Sequence, residues 1–128
     1  REARRREEWK DQVPGTILPL RLDPAHPLTW GAGVDGKADR GFALHEGQLV
    51  FEPARGQEAA AYFPKGLARI SGVISPASLK RLEEGAWLVS RGVGRGSVVL
   101  FADDPLFRLF FRSAQPMYVN ALLLSTVP

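Results

Sequence analysis

Short apolar runs alternate with glycine- and proline-rich breaks along most of the chain, the pattern of a domain built from brief strands and few helices. VPGT, Val13 to Thr16, reads as a turn, and TILPLRL, Thr16 to Leu22, as a strand that Pro19 assigns to an edge or a bulge. DPAHPLTWG, Asp23 to Gly31, sets prolines on both sides of His26 and predicts a turn leading into at most one helical turn. GAGVDGKADRG, Gly31 to Gly41, reads as loop. QLVFEP, Gln48 to Pro53, and AAYF, Ala59 to Phe63, predict short strands around a turn at Gly56, and LARISGVI, Leu67 to Ile74, a further strand. SPASLKRLEEG, Ser75 to Gly85, has the signature of a short amphipathic helix: Ser75 as cap, Pro76 at the first helical position, Leu79 and Leu82 facing inward.

The C-terminal third concentrates the chemistry-bearing residues. AWLVSRGV and GSVVLFAD are both strand-like, with Gly92, Gly94 and Gly96 around their junction. A phosphate-cradling loop needs a helix after its glycines, because the helix N-terminus supplies the amides that hold the anion. Here a strand follows, so the glycines read as a β-hairpin turn. Asp104-Pro105 is a helix opening, a capping carboxylate followed by the residue that tolerates the first helical position. The helix it predicts carries Leu106, Phe107, Phe110 and Phe111 on an apolar face, with Arg108 one turn from both Asp104 and Arg112. Asp103 has two readings, a framework residue beside that cap or a ligand group at the end of a strand. MYVNALLLS, with Pro116 in its first turn, predicts a last helix apolar on nearly every side and therefore buried against the sheet; Asn120 in it calls for a loop carbonyl as partner.

Composition narrows the functional classes. The 128 residues suit one domain, and 45% hydrophobic with 24% charged residues is an ordinary globular balance. The net charge of +3 is placed unevenly: residues 1 to 10 hold five basic and three acidic groups, leaving the rest close to neutral. No basic stripe interleaved with aromatics runs through the body, which argues against nucleic acid as a partner. No apolar run reaches the roughly 20 residues of a membrane helix, so no membrane partner is expected. The absence of cysteine excludes disulfides, thiolate nucleophiles and thiolate metal sites. His26 and His45 do not sit in a zinc-ligand pattern, no Gly-x-Ser-x-Gly elbow occurs, and no catalytic, cofactor or metal residue is assigned. The candidate ligand or partner contacts are His26, Trp30 and Asp35 in the first loops, and Asp103 and Arg108 at the strand-to-helix junction. REARRREEWKDQ, residues 1 to 12, favours helix but has Trp9 as its only large apolar residue, and reads as a charged arm or linker; residues 13 to 128 form a single domain. The abrupt, Met-less start reads as a cut from a longer protein.

The run from SGVISPASLK through GVGRGSVVLFADDPLFR to NALLL resembles the tail of bacterial zinc carboxypeptidases related to carboxypeptidase A, and VPGTILPLRLDPAHPLTWG resembles an earlier part of that tail through its PG, DP-x-HPL and WG elements. The similarity runs from about Asp11 to the end. It implies an α/β fold, a mixed sheet with a C-terminal hairpin and flanking helices, similar to the C-terminal part of a class I glutamine amidotransferase-like, flavodoxin-like domain; an α+β arrangement is the alternative. It implies a non-catalytic accessory domain, with the upstream peptidase domain as partner and with the zinc and catalytic glutamate in that domain. The amidotransferase nucleophile is a cysteine, which this chain lacks. Such parents are often periplasmic or secreted. A binding module for peptide or cell-wall material is the other reading, and an incomplete sheet predicts self-association of the isolated chain.

Overall fold

The computed structural model describes Glu2 and residues 13–52, 58–107 and 113–124. The expected arm and the Arg108 helix fall outside these residues. Six strands form one sheet: β1 (Gly15–Leu22), β2 (Arg40–His45), β3 (Glu58–Tyr62), β4 (Ser71–Val73), β5 (Ala86–Val93) and β6 (Gly96–Phe101). Their order is β2-β1-β3-β5-β6, with β4 paired to the start of β1 while β3 pairs to its end. All these pairings are antiparallel, and the sheet curls into a half-barrel. Among the described residues it is accompanied by helices α1 (Pro76–Leu82) and α2 (Gln115–Leu124), with a 3₁₀ turn at Pro27–Thr29. The sheet-rich fold with flanking helices and a C-terminal hairpin is thus as expected. Parallel pairing, the hallmark of a flavodoxin-like sheet, is not found among the described strands.

Alternation explains how β1 is held. Thr16, Leu18, Leu20 and Leu22 are buried while their neighbours are half-buried or exposed, and the three leucines enter a core with Ala61, Phe63, Trp87, Leu88 and Met117. Pro19 sits within the strand opposite Phe42. At the hairpin joining β5 to β6, Val93 pairs with Gly96 across a two-residue loop in which Gly94 has φ 60 and Arg95 does not go positive. That is the pattern of a type II′ turn, which needs glycine at its first central position. The hairpin reading of the glycines therefore holds. α1 starts as expected, with Ser75 Oγ accepting from the Ser78 amide at 3.1 Å and Leu82 buried.

Four expectations differ from the structure. Gly31 to Gly41 is not all loop, since Val34 and Lys37 bridge across Asp35-Gly36 and β2 begins at Arg40. Gln48 to Glu52 contributes only an isolated bridge between Phe51 and Ala86, and the strand expected over Leu67 to Ile74 shrinks to Ser71–Val73. The last helix is not buried all round. Met117 lies in the core with Ala121 packed against it, whereas Val119, Leu122 and Leu123 face outward.

Candidate functional site

Asp103 lies just past β6, at one edge of the sheet, and His45 ends β2 at the other. The curl brings them together. Asp103 Oδ2 accepts from His45 Nδ1 at 2.7 Å and from Trp87 Nε1 at 2.8 Å, while Oδ1 accepts from the Glu46 amide at 3.0 Å. The carboxylate is 7% exposed and the imidazole 0%. Three donors occupy most of the acceptor sites on the two oxygens, and at 7% exposure the acid offers little surface to an external ligand. Among the described residues His45 Nε2 has no partner, and the ring meets Phe63 edge-on at 5.3 Å. Facing a carboxylate, Nδ1 carries the hydrogen, and Nε2 is buried within the packed interior. Asp103 is a clasp between the two edges of the half-barrel. Its neighbour Asp104 accepts from the Leu106 amide through Oδ1 at 2.8 Å, a local turn contact; the helix expected to follow this cap falls largely outside the described residues.

His26 sits in a different place. Its Nδ1 accepts from the Leu28 amide at 3.2 Å, capping the 3₁₀ turn, so its ring hydrogen is on Nε2. That nitrogen faces Ser90 Oγ at 3.3 Å and Glu58 Oε2 at 3.2 Å. A serine, a histidine and an acid are thus gathered at the edge of a cavity of about 240 Å³ that Leu28, Val99 and Ala121 also line. The wiring is not that of a nucleophile. Activating Ser90 requires a bare nitrogen toward its hydroxyl and the acid on the opposite ring nitrogen. Here both partners share one nitrogen, and a backbone amide occupies the other. With this tautomer Nε2 donates toward Ser90 and Glu58.

Trp30 and Asp35 flank a third region. Asp35-Gly36 forms the tip of a tight turn with φ 52 and 70, which matches a type I′ hairpin and suits an Asp-Gly pair. The turn places Lys37 between two cavities. One, of about 310 Å³, is lined by Pro19, Arg21, Asp35, Arg40 and Phe42 among others; the other, of about 370 Å³, includes Pro24, Thr29 and Trp30. Arg21 is paired with Asp39 at 3.2 Å. Trp30 is 58% exposed. Asn120 fixes the base of this region: its Nδ2 donates to Leu28 O at 3.0 Å and Trp30 O at 2.8 Å, the loop-carbonyl role expected of it.

The five residues singled out in the sequence therefore do not converge. His26, the Trp30–Asp35 turn and Asp103 occupy three separate places, and Arg108 lies outside the described residues. His45, Trp87, Glu58, Ser90 and Lys37 join these places without a signal in the sequence beyond residue type. Among the described residues no three His, Asp or Glu side chains gather around a potential metal position. Comparison with protein families, with curated proteins and with solved structures gives no match to this chain.

Proposed function

We propose that this chain is a non-catalytic C-terminal accessory domain of a zinc metallocarboxypeptidase-like protein, which it supports by packing against the upstream peptidase domain. The observation that carries the docking role is the outward stripe of α2: Val119, Leu122 and Leu123, at i, i+3 and i+4, are 47%, 55% and 64% exposed. A helix apolar on both faces belongs between two packed bodies. The non-catalytic part rests on wiring. Asp103 is engaged by three internal donors and His26 presents a hydrogen, not a lone pair, to Ser90. The residue resemblance supplies the parent's identity, its zinc in the upstream domain, an amidotransferase-like arrangement completed upstream, and a periplasmic or secreted setting. No position here matches the family's zinc-ligand motif.

The test compares the parent protein with a version lacking residues 1 to 128, assaying a small C-terminal peptide substrate and a polymeric one. Loss of both activities together with a lower melting temperature supports a structural support. A parent whose stability and activities are unchanged by the deletion refutes it. Loss of the polymeric activity alone supports the second reading, a binding module for peptide or cell-wall material. The paired cavities around Lys37, with exposed Trp30 beside them, favour that reading.

A further inference from the structure

We infer that the outer edge of β6, which no strand pairs among the described residues, pairs with β6 of a second copy of this chain, in antiparallel register about Val99. β6 is the last strand of the sheet. The Ala102 amide donates to Trp87 O at 2.8 Å, and Phe101 lies opposite Leu88. In an antiparallel ladder hydrogen-bonded pairs alternate, so Gly96, Val98, Leu100 and Ala102 direct their backbone groups to β5. Ser97, Val99 and Phe101 then turn theirs to the free side. A strand is the occupant such an edge takes, because only another backbone matches this spacing of donors and acceptors.

The sequence of the edge fits a second copy. From Ser97 to Phe101 it carries no charge and no proline, the residues that ordinarily block edge pairing. A two-fold axis through Val99 pairs Ser97 with Phe101 and Val98 with Leu100, so that all three outward residues bond. Val98 and Leu100, 45% and 43% exposed, then form one apolar cluster of four side chains across the joint. The same register is complementary in charge at both ends. Arg95, at the hairpin tip, comes to the Ala102–Asp104 end of the other copy, where Asp104 is exposed. Registers shifted along the strand lose either an outward bonding pair or this match.

Sedimentation velocity of the 128-residue chain over a concentration series tests the pairing. A monomer–dimer equilibrium is expected, with Val98→Lys and Arg95→Glu each weakening association at least tenfold while circular dichroism stays native. Arg95→Glu and Asp104→Arg chains are each expected to be weak alone. Mixed, they form a heterodimer, because each charge then meets its opposite. That rescue separates paired strands from general apolar sticking. A chain that stays monomeric at every concentration overturns the inference, as does a dimer insensitive to Val98→Lys and Arg95→Glu, or mixed variants that fail to associate.

Discussion

Replacing Asp103 by alanine removes one carboxylate from three donors at once. The Trp87 indole N–H and the His45 Nδ1–H are left inside the protein, their residues 1% and 0% exposed. A buried donor left unsatisfied costs about 1–3 kcal/mol. Two such donors, with the Glu46 amide more accessible to water, place the expected loss at roughly 3–5 kcal/mol. At this chain length 1 kcal/mol moves Tm by roughly 3–5 °C, so the variant should melt about 10–20 °C lower. Asp103→Asn keeps one carbonyl oxygen for the indole and imidazole but turns an amide toward Glu46 N–H; a loss of about 1–2 kcal/mol is expected. Urea unfolding followed by tryptophan fluorescence and far-ultraviolet circular dichroism measures both. If Asp103→Ala costs less than about 1 kcal/mol, or no more than Asp103→Asn, the clasp does not hold the edges together.

Further variants probe other links between sequence and packing. Ser75→Ala removes the α1 cap and should cost about 1 kcal/mol in urea unfolding. Gly41→Ala places a Cβ 2.7 Å from Ser113 Oγ, which also accepts from the Phe42 amide at 3.2 Å, and should cost about 1–3 kcal/mol, read as a shift in the urea midpoint. Glu84 follows α1 with φ 60, so Glu84→Gly should raise stability by roughly 0.5 kcal/mol, the left-handed strain relieved outweighing glycine's entropy; a lower Tm would contradict this. Trp30→Ala should leave Tm nearly unchanged, since the side chain is largely exposed, yet weaken retention on immobilised peptidoglycan if the cavities beside it bind polymer.

Elements formed by unbroken runs of strand-forming or amphipathic residues are legible in the sequence itself. β1, β3, β5 and β6 lie within a residue or two of the runs that predict them, and α1 starts where expected but ends at Leu82 rather than Gly85. β2 is not legible in this way, and the reason is visible in its buried face: Gly41, Ala43 and His45 point inward while Phe42 and Leu44 are only half-buried. The apolar signal runs on the wrong parity. Gly41 is small because Ser113 packs over it, a contact from far along the chain that no local window contains. Gln48 to Glu52 shows the converse, an apolar run with a single bridge because β3 already occupies most of that side of β5. Amphipathicity does not orient α2, because both of its faces are apolar and composition alone does not say which one the core takes. The Asp103 clasp joins His45 and the Glu46 amide at one edge of the sheet, Asp103 at the other and Trp87 of β5, so residue type supplies its members but topology makes the site. His26 is legible as part of a turn, while its tautomer depends on the Leu28 amide that the turn folds toward it.

His45 and Asp103 are 58 residues apart in the chain. Joining them in an otherwise unfolded polymer would cost about 3–4 kcal/mol in loop entropy before any bond is made. The local β5–β6 hairpin needs no such search and forms on a microsecond scale. The clasp therefore belongs to the end of folding, after the intervening strands have shortened the gap it must span. During synthesis, when the chain emerges at about 5–20 residues per second, His45 and Trp87 are both present before the carboxylate that joins them. Nascent chains truncated before Asp103 should stay protease-sensitive, and resistance should appear only after that residue, and α2 with the core residue Met117, have cleared the ribosome.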